Sequence, residues 1–253
     1  MILPPAIAAG WRTPPPGLEP KLGARLPADI SCIDEGGRRW TLGDLFDRPV
    51  ILSLVYDQCT HVCPQVQVAL GRLVQGLGLV PDRDYRVVTF SFDSGDGTRA
   101  AAEARRNYTL PLGKGLPPDA WKFVTAGAPE IARLTSALGF GFQKTMHGFI
   151  HPVILVIVAP GGTVSRYVFP SRYAYGAAYP VVFSAAEFRR DIEQAARGHV
   201  AGPPSGPLLF CYEAEPPGQV SYEGLTKVFG IATLVFLAGL FTYLSLARRR
   251  AGG

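Results

Sequence analysis

Two of the four cysteines, Cys59 and Cys63, stand four positions apart. Close cysteine pairs take part in redox or metal chemistry more often than in structural stapling. Two thiolates favour soft or borderline ions, chiefly Cu(I) and Zn(II), and they can also oxidise to a disulfide. A closed zinc site usually needs four ligands, and the sequence has no second close cysteine pair. Copper or dithiol chemistry is therefore favoured over structural zinc, with an inert structural disulfide as the alternative.

The local sequence predicts a reactive position for this pair. Residues 50–56 form an almost continuous apolar run, which is typical of a central strand covered on both faces. Pro64 suits the first turn of a helix, and apolar residues then recur at helical spacing at Val66, Leu70, Leu73 and Leu77. The cysteines thus lie where a strand ends and a helix begins. The positive end of the helix dipole favours a thiolate there.

Three histidines compete to supply a third ligand, and an imidazole would suit copper in either oxidation state. His61 lies between the two cysteines, where its side chain can simply point to solvent. His147 and His151 precede an apolar run, residues 153–158, that should form a strand beside the central one. His151 is two residues from the start of that run and is the best placed, while His147 and His61 stay as alternatives.

The order of the remaining elements predicts an α/β fold of the thioredoxin-like type, with a central mixed sheet flanked by helices. A β-α-β half is followed by a β-β-α half, which is the thioredoxin arrangement. The predicted elements after the first helix are a strand at 85–92, helices at 99–108 and 129–138, a hairpin at 153–158 and 163–169, and a last helix opened by a capping box of Ser184 and Glu187. A short hairpin at 30–33 and 39–42 precedes them.

A second feature is an uncharged stretch of twenty residues, 228–247, followed at once by Arg248, Arg249 and Arg250. About twenty apolar residues are needed to span a bilayer core of roughly 30 Å. The arginines favour a cytoplasmic C-terminus, which predicts a single-pass protein of a bacterial-type cytoplasmic membrane with its domain on the outer side. A buried core helix is the alternative.

These features divide the chain into four parts. Residues 1–21 are proline-rich and include a small-residue segment at 6–8 that could be the remnant of a signal peptide. Residues 22–198 form the predicted thioredoxin-like domain, 199–227 a Gly/Pro-rich linker, and 228–250 the anchor with its basic end. The net charge of +5 comes mostly from scattered basic residues, a distribution that does not favour nucleic-acid binding. The expected partner of the basic run at 248–250 is the anionic lipid of a membrane.

Together these motifs resemble the Sco/SenC family of membrane-anchored copper proteins, which are needed to assemble the dinuclear copper centre of cytochrome c oxidase. The resemblance covers roughly residues 22–250. It is carried by the Cys59-x-x-x-Cys63-Pro64 loop, the strand at 88–93, the stretch 151–162 and the segment 165–167. The segment at 208–212 ahead of the membrane helix is similar to a subgroup with a C-terminal anchor.

The resemblance implies specific residues and partners. Its metal ligands fall on Cys59, Cys63 and His151, and its acidic residue beside the site falls on Asp93. It implies copper, as Cu(I) or Cu(II), and the copper-bearing subunit of cytochrome c oxidase or its assembly factors as partners. Two departures from the family pattern are Pro152, directly after the histidine, and Ser94, after the aspartate.

Some roles stay open on the residues alone. Asp93 could tune the charge of the site or steady the cysteine loop, or it could cap the helix that begins near Thr98. Cys32 is expected to be a packed thiol and Cys211 a linker thiol, although an oxidising compartment would allow a disulfide between them.

Three functions follow. The first is a copper chaperone or thiol-disulfide protein acting on an oxidase. The second is a metal-independent thioredoxin- or peroxiredoxin-like oxidoreductase. The third is an accessory interaction subunit of a respiratory complex.

Overall fold

The computed structural model describes residues 16–59, 62–117, 119–146, 148–170, 182–203, 210–211, 229–239 and 241. The chain divides into two units, Met1–Glu213 and Ala214–Gly253. All of the described strands lie in the first unit.

This unit contains both strands and helices. In chain order they are β1 (Gly17–Leu18), β2 (Ser31–Asp34), β3 (Arg39–Thr41), β4 (Val50–Val55), α1 (Val62–Gly76), β5 (Arg86–Ser91), α2 (Thr98–Thr109), β6 (Trp121–Thr125), α3 (Ala128–Leu138), β7 (Phe140–Gly141), β8 (Gln143–Thr145), β9 (Gly148–Pro152), β10 (Leu155–Ala159), β11 (Thr163–Val168), α4 (Ala185–Ala196) and β12 (Phe210–Cys211).

Seven of these strands form one mixed sheet in the order β11-β10-β4-β5-β6-β2-β3. β4, β5 and β6 are parallel to one another, and the other neighbours are antiparallel. Every residue of β4 and β5 is buried, as expected for strands covered on both faces. The predicted α/β fold with a central mixed sheet flanked by helices is therefore confirmed.

The predicted helices are found close to their expected limits. α1 begins two residues before Pro64 and buries the apolar face that the spacing indicated. α3 ends at Gly139, which adopts a left-handed conformation with φ of 62°. α4 is capped by Ser184, whose side chain accepts a hydrogen bond from the backbone N–H of Glu187.

Two small sheets lie beside the main one. β1 pairs with β7, and the order of the second small sheet is β12-β9-β8. The expectation that His151 stands just before a strand of the main sheet is wrong, because β10 begins only at Leu155 and His151 lies within β9. Residues 148–152 form a separate strand since their hydrogen-bonding partners are β8 and β12.

In the second unit, residues 229–239 and 241 are helical. Their large apolar side chains are exposed: Phe229, Ile231, Leu234, Val235, Phe236, Leu237 and Phe241. Within the described part of the chain, no helix is both long and apolar enough to cross a membrane. The predicted span at 228–247 lies partly outside the described residues. The segment at 1–15, with the expected signal-peptide remnant, lies entirely outside them.

Candidate functional site

The two cysteines lie at the carboxyl end of the central strand. Cys59 follows the end of β4, and its backbone N–H donates to the Tyr56 carbonyl at 3.2 Å. Cys63 is the second residue of α1. Both residues are buried, with only 7% and 5% of their surface exposed, and neither forms a disulfide. The cysteine pair therefore lies where a strand ends and a helix begins, as the sequence predicts.

A buried polar chain fixes α1 against the sheet. Gln67, one helical turn after Cys63, donates from Nε2 to Ser53 Oγ at 3.0 Å. Its Oε1 accepts from Thr89 Oγ1 at 3.0 Å, and Thr89 in turn accepts from Trp121 Nε1 at 2.9 Å. Because buried polar groups must be paired, this chain allows few rotations of α1 on β4 and β5. It therefore sets the direction in which Cys63 points.

His151 faces Cys63 from the small sheet. Its Nε2 lies 3.8 Å from Cys63 Sγ. Its Nδ1 lies 2.9 Å from the carbonyl oxygen of Pro152, which can only accept, so Nδ1 carries the proton. The lone pair of the neutral ring is then on Nε2 and is available to a metal ion or to a thiol proton.

Aromatic rings enclose this histidine. Phe92 packs edge-on at 5.0 Å between ring centroids, and the Tyr56 and Phe140 rings lie at 6.1 and 6.0 Å. Burial lowers the pKa of His151 from 6.5 to about 4, while its bond to Pro152 and the nearby Cys59 act in the opposite direction. The ring is therefore neutral at physiological pH, which is the form that binds metals.

Two carboxyl groups lie behind the cysteine loop. The backbone N–H of Asp57 donates to Asp96 Oδ2 at 2.7 Å, and Ser91 Oγ donates to the same oxygen at 2.6 Å. Burial, together with the charge of Asp96, raises the pKa of Asp57 to about 7. Burial, and then the charges of Cys63, Cys59 and Asp57, raise the pKa of Tyr108 to about 12. Negative charge on the cysteines or on these carboxyl groups therefore disfavours ionisation of the neighbouring acidic groups.

The side chain of Asp93 makes contacts close to its own turn. Its Oδ1 accepts from the Gly95 backbone N–H at 3.0 Å and lies 3.9 Å from Lys144 Nζ. It does not cap α2, since the N-cap is Gly97 with no side-chain hydrogen bond. The carboxylate that anchors the loop is Asp96, three residues later. Asp93 instead lines a cavity of about 250 Å³ together with Phe92 and Phe149.

The structure thus brings Cys63 and His151 into contact and keeps Cys59 in the same buried region. His61 and His147 lie outside the described residues, so their candidacy as ligands stays a prediction. Within the described residues, no group of three or more histidine, cysteine or acidic side chains already has the geometry to hold a metal ion. The fit to copper rests on the donor types and on the direction of the His151 lone pair.

Sequence reasoning missed the aromatic enclosure and the Asp57–Asp96 pair. A signal for both was present, because Asp57 follows β4, Phe92 follows β5, and the carboxyl ends of neighbouring parallel strands meet at one edge of a sheet. The same argument could have placed Asp96 near the cysteine loop.

The other two cysteines differ in position. Cys32 in β2 is a free, buried thiol with Sγ 3.7 Å from the Trp40 carbonyl oxygen, as expected for a packed thiol. Burial raises its pKa to about 12. The backbone of Cys211 belongs to β12, which pairs with β9. Cys211 is thus part of a small sheet and not only of a linker.

The central mixed sheet with its flanking helices has the thioredoxin-like arrangement, and it carries a cysteine pair at a strand-to-helix junction, faced by a buried histidine. Neither a protein-family model nor a curated protein sequence matches the chain. Solved structures do match. A protein from Aquifex aeolicus VF5, named as a candidate electron transfer protein, is 29% identical with a TM-score of 0.60, covering 71% of this chain and 96% of that one.

Sco proteins have the same fold. Arabidopsis thaliana ScoI, solved with copper bound, is 17% identical with a TM-score of 0.51, covering 71% of this chain and 100% of that one. BsSco, a member of the Sco family of cytochrome c oxidase assembly proteins with an identified disulfide switch, is 19% identical with a TM-score of 0.51, covering 71% and 97%. The resemblance to the Sco/SenC family is therefore confirmed in the fold.

Proposed function

We propose that this chain is a membrane-anchored copper chaperone and thiol-disulfide protein of the Sco/SenC type, which assists assembly of the dinuclear copper centre of cytochrome c oxidase. The observation that carries the proposal is the 3.8 Å approach of His151 Nε2 to Cys63 Sγ, with the Nδ1 proton held by Pro152. The Sco fold and the copper bound to Arabidopsis ScoI support it.

The donor set fits copper as a cargo. Cys59 and Cys63 would supply two thiolates and His151 one imidazole, a set of soft and intermediate donors that suits Cu(I) and also accommodates Cu(II). The aromatic enclosure keeps water from His151 and holds its ring in one orientation. Thiolate ligands can be exchanged one at a time, which allows copper to pass to cysteines of an acceptor protein.

The proposed anchor places this transfer at a membrane. Residues 229–239 are helical and carry exposed apolar side chains at successive positions, including Leu234, Val235, Phe236 and Leu237. A helix that is apolar on all sides needs protein or lipid around it. With Arg248–Arg250 after it, we propose a single-pass anchor with the domain on the outer face and the C-terminus in the cytoplasm.

Titration of the reduced, detergent-solubilised chain with Cu(I) against a competing chelator tests the proposal. We expect one copper ion per chain, with an affinity lowered more than about tenfold by His151→Ala and by either Cys59→Ser or Cys63→Ser, since each change removes a ligand. His199→Ala is the matched control, because His199 is exposed and distant in sequence from the cysteine pair. Equal affinity of the His151→Ala and His199→Ala variants would refute the three-ligand site.

A metal-independent thiol-disulfide oxidoreductase is the second candidate. It is favoured by the position of the cysteine pair at and just before the start of α1, where a thiolate is stabilised by backbone N–H groups. Rapid reduction of a disulfide substrate by a chain that binds no copper would select this function. A chain with neither activity would be left with the third role, that of an accessory subunit of a respiratory complex.

The acceptor is tested by copper transfer. We expect the copper-loaded chain to pass its ion to the apo form of the copper-bearing oxidase subunit. The transfer is measured through the visible absorption of the copper-loaded subunit. A Cys63→Ser chain loaded with the same amount of copper should transfer it by unassisted release only. Equal transfer rates for the two chains would contradict a ligand-exchange role.

A further inference from the structure

The residue opposite His151 in the small sheet is a cysteine. β9 and β12 run antiparallel, and their register pairs His151 with Cys211 and Pro152 with Phe210. Residues directly opposite each other in such a pair are nearest neighbours across the two strands. The register position of Cys211 is therefore next to that of the histidine that contacts Cys63, although 148 positions separate the two cysteines along the chain.

We propose that Cys211 is a third thiol of the site, which resolves mixed disulfides formed by Cys63. The inference rests on the thiol-disulfide chemistry proposed above and does not need copper to be bound. It replaces the interpretation of Cys211 as an uninvolved linker thiol.

Cys32, unlike Cys211, lies too far from the cysteine pair to take part in this chemistry. Cys32 lies on β2, three strands away from β4 in the main sheet. At a strand spacing of about 4.8 Å, three spacings amount to roughly 14 Å, well beyond the reach of a disulfide. Cys32 is therefore the internal control, a thiol of the same chain that should take no part.

The proposed reaction has two exchange steps. The Cys63 thiolate attacks a disulfide of a partner protein, forms a Cys63–partner disulfide and releases the first partner thiolate. The Cys211 thiolate then attacks Cys63 Sγ, forms a Cys63–Cys211 disulfide and releases the second partner thiolate. The partner disulfide is reduced by two electrons, two thiols of this chain are oxidised, and each cysteine gives up its proton to solvent as it becomes a thiolate.

The test uses the full-length Cys59→Ser chain in detergent, so that the usual partner of Cys63 is absent. One equivalent of 4,4′-dithiodipyridine is added to the reduced protein, and released thiopyridone is followed by absorbance. An internal disulfide releases two thiopyridones per reagent molecule, whereas a trapped mixed disulfide releases one. We expect two from Cys59→Ser and one from the Cys59→Ser/Cys211→Ser control.

Peptide mapping without reduction identifies the bond. Cleavage after Lys and Arg, except before proline, places Cys63 in residues 40–72, Cys211 in 198–227 and Cys32 in 26–38. We expect a 40–72 peptide linked to 198–227, with 26–38 free. A single thiopyridone from Cys59→Ser, with a pyridyl adduct on either peptide and no link, would overturn the proposal.

The wild-type chain separates this inference from the proposed function. Two thiopyridones from wild type, with a disulfide inside residues 40–72, together with only one from Cys59→Ser, would leave the Cys59–Cys63 chemistry intact and remove Cys211 alone. One thiopyridone from both chains would count against the thiol-disulfide function itself.

Discussion

The two sides of the candidate site are held by very different parts of the molecule. Cys59 and Cys63 follow β4, a six-residue strand that is buried throughout and hydrogen-bonded on both edges within the seven-stranded sheet. His151 lies in β9, a five-residue strand whose partners are the three-residue β8 and the two-residue β12. We call these the cysteine side and the histidine side.

The difference shows what fixes each side. The cysteine side is fixed by the main-chain ladder of the central sheet and by the buried contacts of Gln67. Sheets as small as that of β9 have little stability of their own, so the histidine side depends on aromatic side chains that pack it against the domain core. Phe92 is the main link, because its ring contacts Tyr56 on one side and His151, Phe140 and Phe149 on the other.

Removing this link should have the largest effect. Phe92 is 1% exposed, and truncation of a buried phenylalanine to alanine typically costs about 3–5 kcal/mol. We expect Phe92→Ala to lower the free energy of unfolding by that amount, measured by urea denaturation. Leu110→Ala is the control, because Leu110 is 72% exposed and should change stability little. A loss from Phe92→Ala no larger than from Leu110→Ala would show that this ring does not join the two sides.

The second-largest effect is expected from Gly139→Ala, because Gly139 directly precedes Phe140, one of the rings that pack against His151. Gly139 has a φ of 62°, and a Cβ there would collide with the carbonyl oxygen of Glu19. Left-handed strain alone costs about 1–3 kcal/mol, and the backbone collision adds to it. We expect the free energy of unfolding, measured by urea denaturation, to fall by an amount at the upper end of that range. Gly202→Ala is the control and should leave it nearly unchanged, because a Cβ there meets no atom within 4 Å. Similar stabilities of the two variants would contradict this account.

Acid should act on the histidine side. The pKa of His151 is lowered to about 4 from 6.5, so the unfolded chain binds a proton that the folded chain excludes as pH falls from 6.5 towards 4. Wild type should therefore lose stability in this window, by up to about 1.4 kcal/mol per pH unit, relative to His151→Phe. The measurement is the difference between the two unfolding free energies at several pH values. A constant difference would refute the assignment of a neutral, buried histidine.

Rising pH should act on the cysteine side, with the opposite sign and a smaller size. The pKa of Asp57 is raised to about 7 from 3.8, so the folded chain holds a proton that the unfolded chain releases. The resulting stability is present below pH 3.8 and is lost as pH rises through 7. We expect wild type to lose about 2.5 kcal/mol relative to Asp57→Asn between pH 5 and 7.5. A loss of wild-type stability relative to Asp57→Asn as pH falls from 7.5 to 5 would contradict the raised pKa of Asp57.

The cysteine side could be predicted from the sequence and the histidine side only in part. The apolar run of β4 and the spacing in α1 depend on neighbours in sequence, so the pattern shows them directly. β6 was missed because Lys122 interrupts its apolar run, and this lysine is buried only because Asp34 and Asp119 neutralise it. The pairing with Asp34, 88 positions away, is not visible in a local pattern.

The small strands were missed for a related reason. β9 is defined by partners that include residues 210–211, far along the chain, and it ends in a proline. The role of Asp96 was missed for the same reason. Asp93 and Asp96 lie three residues apart in one turn, and only the tertiary structure shows that Asp96 points inward to Asp57 and Ser91.

The depth of the two sulfurs has a kinetic consequence. With Cys59 and Cys63 only 7% and 5% exposed, an incoming protein cannot reach either sulfur along the line of attack that thiol exchange requires unless the site first becomes more accessible. The rate of exchange is then governed by how often the two sulfurs become accessible. Bulky alkylating reagents should therefore react at a rate that saturates with concentration, whereas small ones continue to accelerate, so that access to the sulfurs selects which proteins the site can serve.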